Sequence, residues 1–492
     1  TFNVAVGFQA GHDVTTGVEN TIIGALTGDA LTDADGNVAM GTYALSTDTL
    51  GSRSVAIGHS ALLTQNFTTA TNVYNVGVGF DAGRAISTGT ENVLIGGLAG
   101  DALNVGGQNV AVGHAALSAE DGHGQNVAIG YLALVAQNAG ATAYNTAVGS
   151  QAGAAVTTGI SNTLIGGQSG DALTDADDNV AVGRLALSTD TLGSKSTAVG
   201  RGALKTQNFT TATDSNNTAV GYSAGEAVTT GTDNTLIGTL CGDAITDGNT
   251  NTAVGSFALT TNQRGDRNTA IGHEALKTLN PSGDADTYNT AVGYQSGKAV
   301  TTATENTLIG GLAGDALTTG ASNTAVGYRS LSASNTAAGN TAIGGNAMLS
   351  DTKGARNVAV GYGTLFSQNL TTATNSYNVA VGYDAGTAIT TGVSNTMMGG
   401  LAADALTDAD FNVAIGTIAL GTDTLGSRSV AVGYGSLQTQ NFTTATNVYN
   451  VAVGFNAGAS VTTGRNNTLI GAGTGDALTT GDGNTAVGLD AL

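Results

Sequence analysis

Tryptophan is absent from these 492 residues, proline and cysteine occur once each (Pro281 and Cys241), and aromatic residues make up only 5%. So little bulk cannot fill the several cores into which a chain of this length would ordinarily divide, and a single cysteine excludes a disulfide framework. Cations are scarce too: 15 Lys and Arg stand against 36 Asp and Glu, for a net charge of −21. No basic stripe is available to replace counterions, so nucleic acid and anionic membrane are excluded as partners. No apolar run is long enough to cross a bilayer, so no membrane insertion is expected of this segment, and no signal-peptide pattern appears. Cys241 stands where sister repeats hold other small residues, which reads as a buried substitution rather than a reactive thiol.

What is present is glycine, 75 residues of it, in register. The pentad Asn3-Val4-Ala5-Val6-Gly7 recurs in twenty-eight copies with Gly at the fifth place in all of them. Asn opens twenty-five, and Ser54, Ser196 and Ser429 open the rest. Copies follow one another at 17 to 21 residues. A repeat this short cannot bury its own apolar face, so it must stack on its neighbours. The expected fold is therefore all-β, a repetitive parallel β-solenoid or β-roll of about 28 rungs, spanning 1–492 as one elongated domain. At the usual strand spacing the rungs would make a rod on the order of 130 Å. The absence of polar capping repeats reads as a segment of a longer chain, or as ends sealed by neighbouring molecules.

Alternation within the pentad places Val4 and Val6 on one face and Ala5 on the other. The expectation is that the valines fill the coil while the Ala side lets another chain approach, most simply in a homotrimer. A second short strand is expected near Ala10-Gly11, Ala44-Leu45 and Ala116-Leu117.

The rungs fall into sets of four, here A to D, recurring about every 72 residues, with one additional rung at Asn340. A rungs carry a Thr pair such as Thr15-Thr16, and B rungs carry Asp at the tenth place (Asp29, Asp101, Asp171, Asp243, Asp315, Asp404, Asp476). D rungs end in a longer segment such as Gln65 to Tyr74.

The histidines His12, His59, His114, His123 and His273 fall at unrelated repeat positions, and no acid, base or nucleophile cluster breaks the pattern, so no active site is expected. Oxygen ligands at alternate residues make calcium a candidate at Asp33, Asp35 and Asn37, at Asp175, Asp177 and Asn179, and at Asp408, Asp410 and Asn412. Turn formation by the same Asp and Asn residues is the competing reading. In the D loops, Phe67, Tyr74, Phe209, Phe442 and Tyr449 are candidates for contact with a ligand such as a sugar, or for packing each loop onto the body. Ice binding would need an unbroken Thr array, and the Thr pairs recur at only one rung in four.

The pentad resembles the Asn-Ser-Val-Ala-Ile-Gly repeats in the heads of trimeric autotransporter adhesins, as at Asn126-Val127-Ala128-Ile129-Gly130 and Asn412-Val413-Ala414-Ile415-Gly416. It is also similar to Asn-Thr-Ala-Val-Gly-Tyr repeats of marine bacteriophage tail fibres, as at Asn289-Thr290-Ala291-Val292-Gly293-Tyr294. That resemblance implies a left-handed parallel β-roll, three chains per rod, and adhesion to a cell surface. The rungs here are longer than the adhesin coils, and no neck, stalk or anchor is recognisable. The expectation is an extracellular, non-enzymatic fibre on a bacterial cell surface or virion, meeting a cell-surface glycan or protein receptor. The alternative is a self-assembling filament or sheath subunit.

Overall fold

Every repeat contributes one three-residue strand, so the chain winds into a parallel β-solenoid of 28 turns without a helix among the described residues. The structure, a computed structural model, describes residues 2–492. It comprises two compact units, Thr1–Asp247 and Gly248–Leu492, each carrying fourteen of these strands. Within each unit a strand pairs in parallel, residue for residue, with that of the next turn, as Val4↔Thr21, Ala5↔Ile22 and Val6↔Ile23 do.

The closing Gly of the pentad is required twice over. Its φ lies between +132° and +144° in every copy, and a Cβ on Gly7 would sit 2.3 Å from the carbonyl oxygen of Gly24 one turn on. Any side chain there would both strain the backbone and push the turns apart.

The faces of the strand are opposite to the expectation from sequence. Ala39, Ala56, Ala111 and their equivalents are fully buried inside the coil, whereas the second and fourth places, as in Val38 and Met40, are part-exposed on its outside. The coil is narrow, and its interior is completed by residues from the far side of the turn. In C and D rungs a small third residue faces a large ninth one (Ala39 with Leu45, Ala56 with Leu62). In B rungs the sizes are exchanged, and Leu94 lies against both Gly83 and Gly100. The four-rung set is thus a packing unit, since each Leu needs the glycines of its own and the preceding rung.

The eighth and ninth places do not form a second strand. Tyr43 and Leu45 have φ of 63° and 53°, and the same left-handed pair recurs in later turns, which bends the chain instead of extending it. Each such leucine costs about 1–2 kcal/mol in backbone conformation. Burial of its side chain returns about as much or more, and the bent chain still bonds to the next turn, as Leu45 N–H does to Ala61 O at 3.0 Å. The real second strands belong to the D loops, where Thr71–Asn72 pairs with Gly51–Ser52 and four further loops repeat the arrangement.

Candidate functional surfaces

The opening asparagines form a ladder inside the coil. Asn20 is buried, its Nδ2 donates to Ala34 O at 2.7 Å within its own turn, and its Oδ1 accepts the N–H of Asn37 at 2.9 Å in the next. A serine is too short to make that link. Where Ser54 replaces Asn, Gln65 bridges the gap, donating to Ser54 Oγ at 3.0 Å and accepting from Asn75 Nδ2 at 3.0 Å. Gln207 and Gln440 do the same beside Ser196 and Ser429.

Gln65 also donates to the buried carboxylate of Asp48 at 2.6 Å, whose other oxygen accepts N–H bonds from Gly51 and Phe67. Asp190 with Gln207, Asp351 with Gln368, and Asp423 with Gln440 repeat this pair. Burial pushes the Asp351 carboxyl above the usual aspartate range, against the hydrogen bonds from Gly354 and Gln368 that oppose the shift. Sequence reading missed these buried acids. The signal was there: the twelfth place is Val, Ile or Leu in A and B rungs but predominantly Asp and Gln in C and D rungs.

Each residue of the proposed calcium trios has a hydrogen-bond partner within the protein. Asp33 accepts the Thr16 hydroxyl at 2.5 Å and Asp35 accepts the Val18 N–H at 2.8 Å, both in the preceding turn, while Asn37 turns inward to Gly51 O. Asp175, Asp177 and Asn179 behave alike, as do Asp408, Asp410 and Asn412. A different group, Glu120, Asp121 and His123, is the one that brings three metal-ligand side chains within 4.8 Å among the described residues. Glu120 occupies the place of Asp48 and accepts the His123 N–H at 3.0 Å.

Of the tenth-place acids, Asp29, Asp101, Asp171 and Asp243 each bury a carboxylate oxygen that has no hydrogen-bond partner, and burial raises their pKa. At Asp315 the hydroxyl of Ser332, one turn on, fills that role at 2.5 Å. Ser46, Ser118 and Ser188 stand at the same place beside Asp29, Asp101 and Asp171.

The D-loop aromatics divide into two kinds. Phe67, Phe209 and Phe442 are buried beneath their loops. Tyr74 and Tyr449 are about half exposed, each lying under a guanidinium: Arg53 over Tyr74 at 5.7 Å and Arg428 over Tyr449 at 5.8 Å.

These pairs belong to one of two exposed columns that flank the outward strand face. The entry column holds the residue before each opening Asn or Ser, and the exit column holds the residue after each pentad Gly. In the exit column aromatic rings stack along the coil, His59 on Phe80 at 5.5 Å, Tyr362 on Tyr383 at 5.9 Å and Tyr434 on Phe455 at 5.4 Å. Stacking covers ring faces and leaves edges outward, which does not suit a sugar that must lie flat on a ring. Between the columns run Val or Thr at the second place and Val, Ile or Met at the fourth, in all twenty-eight turns. Ile129, Ile309 and Ile343 are still 37–39% exposed.

No family model, curated protein or solved structure matches this chain.

Proposed function

We propose that this chain is the shaft of an extracellular, non-enzymatic fibre that positions a receptor-binding end at a cell surface, as a phage tail fibre or bacterial adhesin does, and that it works as a homotrimer. The observation that carries this reading is the outward strand face. In each unit two columns, Val or Thr at the second place and Val, Ile or Met at the fourth, bordered by aromatic and charged residues, make a β-branched and largely apolar face of the kind that marks an association site. Three copies meeting on these faces would bury Val, Thr and Ile around an axis, so the contact lies on the large-residue side of the strand and not on the Ala side. The interior chemistry is structural throughout: the Asn ladder and the Asp–Gln pairs link one turn to the next.

Mass-resolved scattering of the segment in dilute solution tests this. A discrete three-chain particle is expected. Ile309→Lys should convert it to monomers with its secondary structure retained, because that side chain is already part-exposed. A monomeric wild type overturns the reading, and open-ended polymers would favour a filament subunit instead. Chelator should change neither the stoichiometry nor the melting temperature, because Asp33, Asp35 and Asn37 make their bonds to the protein.

A further inference from the structure

In B rungs the glycines of the exit column meet no steric demand for glycine from their own chain. The residue after the pentad Gly in B rungs is Ala25, Gly97, Gly167, Thr239, Gly311, Gly400 or Ala472, always small. At Gly97, Gly167 and Gly311 an added Cβ would meet nothing closer than 3.6 Å, at Gly400 nothing within 4 Å, and none of the four needs a left-handed backbone. Larger residues fit the same place in other rungs, where Phe80, Tyr294 and Tyr383 project into solvent. Ala472 lines an open pocket of about 440 Å³ at the last turn, together with Phe455, Leu489 and Asp476.

The entry column supplies an object of that size. In A rungs it holds Phe2, Tyr74, Tyr144, Asn216, Tyr288, Tyr377 or Tyr449, and the tyrosines are 47–60% exposed. We infer that in the assembled fibre the entry column of one copy packs against the exit column of the next with an offset of one rung, so that each A-rung tyrosine seats in a B-rung socket of its neighbour: Tyr74 at Gly97, Tyr144 at Gly167, Tyr288 at Gly311, Tyr377 at Gly400 and Tyr449 at Ala472. This rests on the homo-oligomeric reading above and adds its register and its contacts.

The same offset brings the other rungs into agreement. Entry-column cations of D rungs meet exit-column aromatics of A rungs, namely Arg53 with Phe80, Lys195 with Tyr222, Arg267 with Tyr294, Arg356 with Tyr383 and Arg428 with Phe455. Cation–π contacts of this kind are favourable, the more so when desolvated. Opposite charges meet at Glu91 with His114, when protonated, and at Asp178 with Arg201. Exceptions match exceptions as well. Gln125 is the D-rung entry residue that is not a cation, and it meets Ser150, the A-rung exit residue that is not aromatic. Asn216, the A-rung entry residue that is not aromatic, meets Thr239, the largest of the B-rung exit residues. With no offset, Lys195 would face Arg201, Tyr288 would face Tyr294, and Gly339 would face Gly345. Like charges, two bulky rings and an empty gap would then oppose one another.

Paired cysteines in a Cys241→Ala background test the offset. Tyr288→Cys with Gly311→Cys should form disulfides between copies, seen by non-reducing electrophoresis and mass spectrometry. Tyr288→Cys with Tyr294→Cys, on one rung, should not. Within one chain either pair spans the strand and cannot close. Preferential linking of the same-rung pair, or no linking in a preparation that scattering shows to be assembled, overturns the offset while leaving the assembly intact. A monomeric wild type overturns both, and scattering alone reveals it.

A size exchange provides a second readout. Gly311→Tyr should weaken association about tenfold or more, equivalent to at least ~1.4 kcal/mol, with an unchanged circular dichroism spectrum. Adding Tyr288→Gly should restore it. If Gly311→Tyr associates as tightly as the wild type, the socket assignment fails.

Discussion

The first and fourth D loops build the same corner of the coil with different chemistry, the first on a rung opened by Ser54 and the fourth on one opened by Asn268, whose Oδ1 accepts the Asn289 N–H at 3.2 Å. In the first, Asp48 is buried and held by Gln65 and by the N–H groups of Gly51 and Phe67. In the fourth, the places of Asp48, Gln65 and Phe67 hold Asn262, Leu279 and Pro281. Asn262 bonds Gly265 twice, accepting its N–H at 2.8 Å and donating to its carbonyl at 2.9 Å, and Leu279 is fully buried. The single proline of the chain explains the exchange. Pro281 has no N–H to give, so a carboxylate at 262 would lose a donor that Asp48 keeps. An amide that satisfies itself on Gly265 replaces it, and the glutamine, left without an acid to bond, gives way to leucine. A buried polar network is therefore kept or discarded as a unit, because a half-satisfied one is worse than either alternative.

The largest effect is expected from splitting the first network. Gln65→Leu leaves a buried carboxylate short of its shortest hydrogen bond and should cost about 3 kcal/mol or more, read from denaturant unfolding and from faster amide exchange at Asn75 and Val76. Converting the whole set, by Asp48→Asn, Ser54→Asn, Gln65→Leu and Phe67→Pro, should recover most of that loss, because Asn at 54 restores the ladder link that Gln65 otherwise bridges. If the fourfold variant is no better than the single one, the two loops are not interchangeable solutions.

The reverse experiment is smaller. Leu279→Gln places an amide where no acid receives it and where Asn268 Oδ1 already accepts from Thr287 and Asn289, and should cost about 1–3 kcal/mol by the same measurements. A neutral outcome would mean that the glutamine of the other loops acts through packing alone.

The smallest effect, and the one that separates the sites by sign, is pH. The fourth set carries its charge on the outside, where Lys277, Lys298 and Gln295 hold the Glu274 carboxyl down to about 2. Its contribution is present above the ordinary glutamate range and is lost as pH falls toward 2. Asp351, raised by burial, behaves in the opposite way: its contribution is present below the ordinary aspartate range and is lost as pH rises through its elevated value. Melting curves of Glu274→Gln and Asp351→Asn against pH should therefore diverge from the wild type at opposite ends of the acid range.

The repeat, the strand at each pentad and the Gly at its end were legible in the sequence because one turn leaves one short, self-similar signal. Which face is inside was not. Period-two alternation tells that Val38 and Met40 share a side, yet the side that is buried depends on Leu45, which arrives from across the turn. The supposed strand at Ala44-Leu45 failed for a related reason, since apolar residues there follow a left-handed backbone that composition does not reveal. Of the candidate sites, the Asp and Asn trios were visible as patterns but not as partners. Asp33 and Asp35 bond to the preceding turn, and only the stacking places Thr16 and Val18 within reach.

The additional turn at Thr341–Ile343 would matter for how copies align in the assembly proposed above. A pattern that repeats every four rungs is like a ruler with identical marks: two rulers slid by one mark look aligned again. In the unit Gly248–Leu492 the extra rung spoils that degeneracy. A copy displaced by four rungs would bring Tyr288 against Tyr383 instead of Gly311, ring against ring, even though Tyr377 would still find a small residue at Ala472. In the proposed assembly one inserted turn would thus act as a keyway, admitting a single axial alignment from among those that the periodic stretches alone would accept.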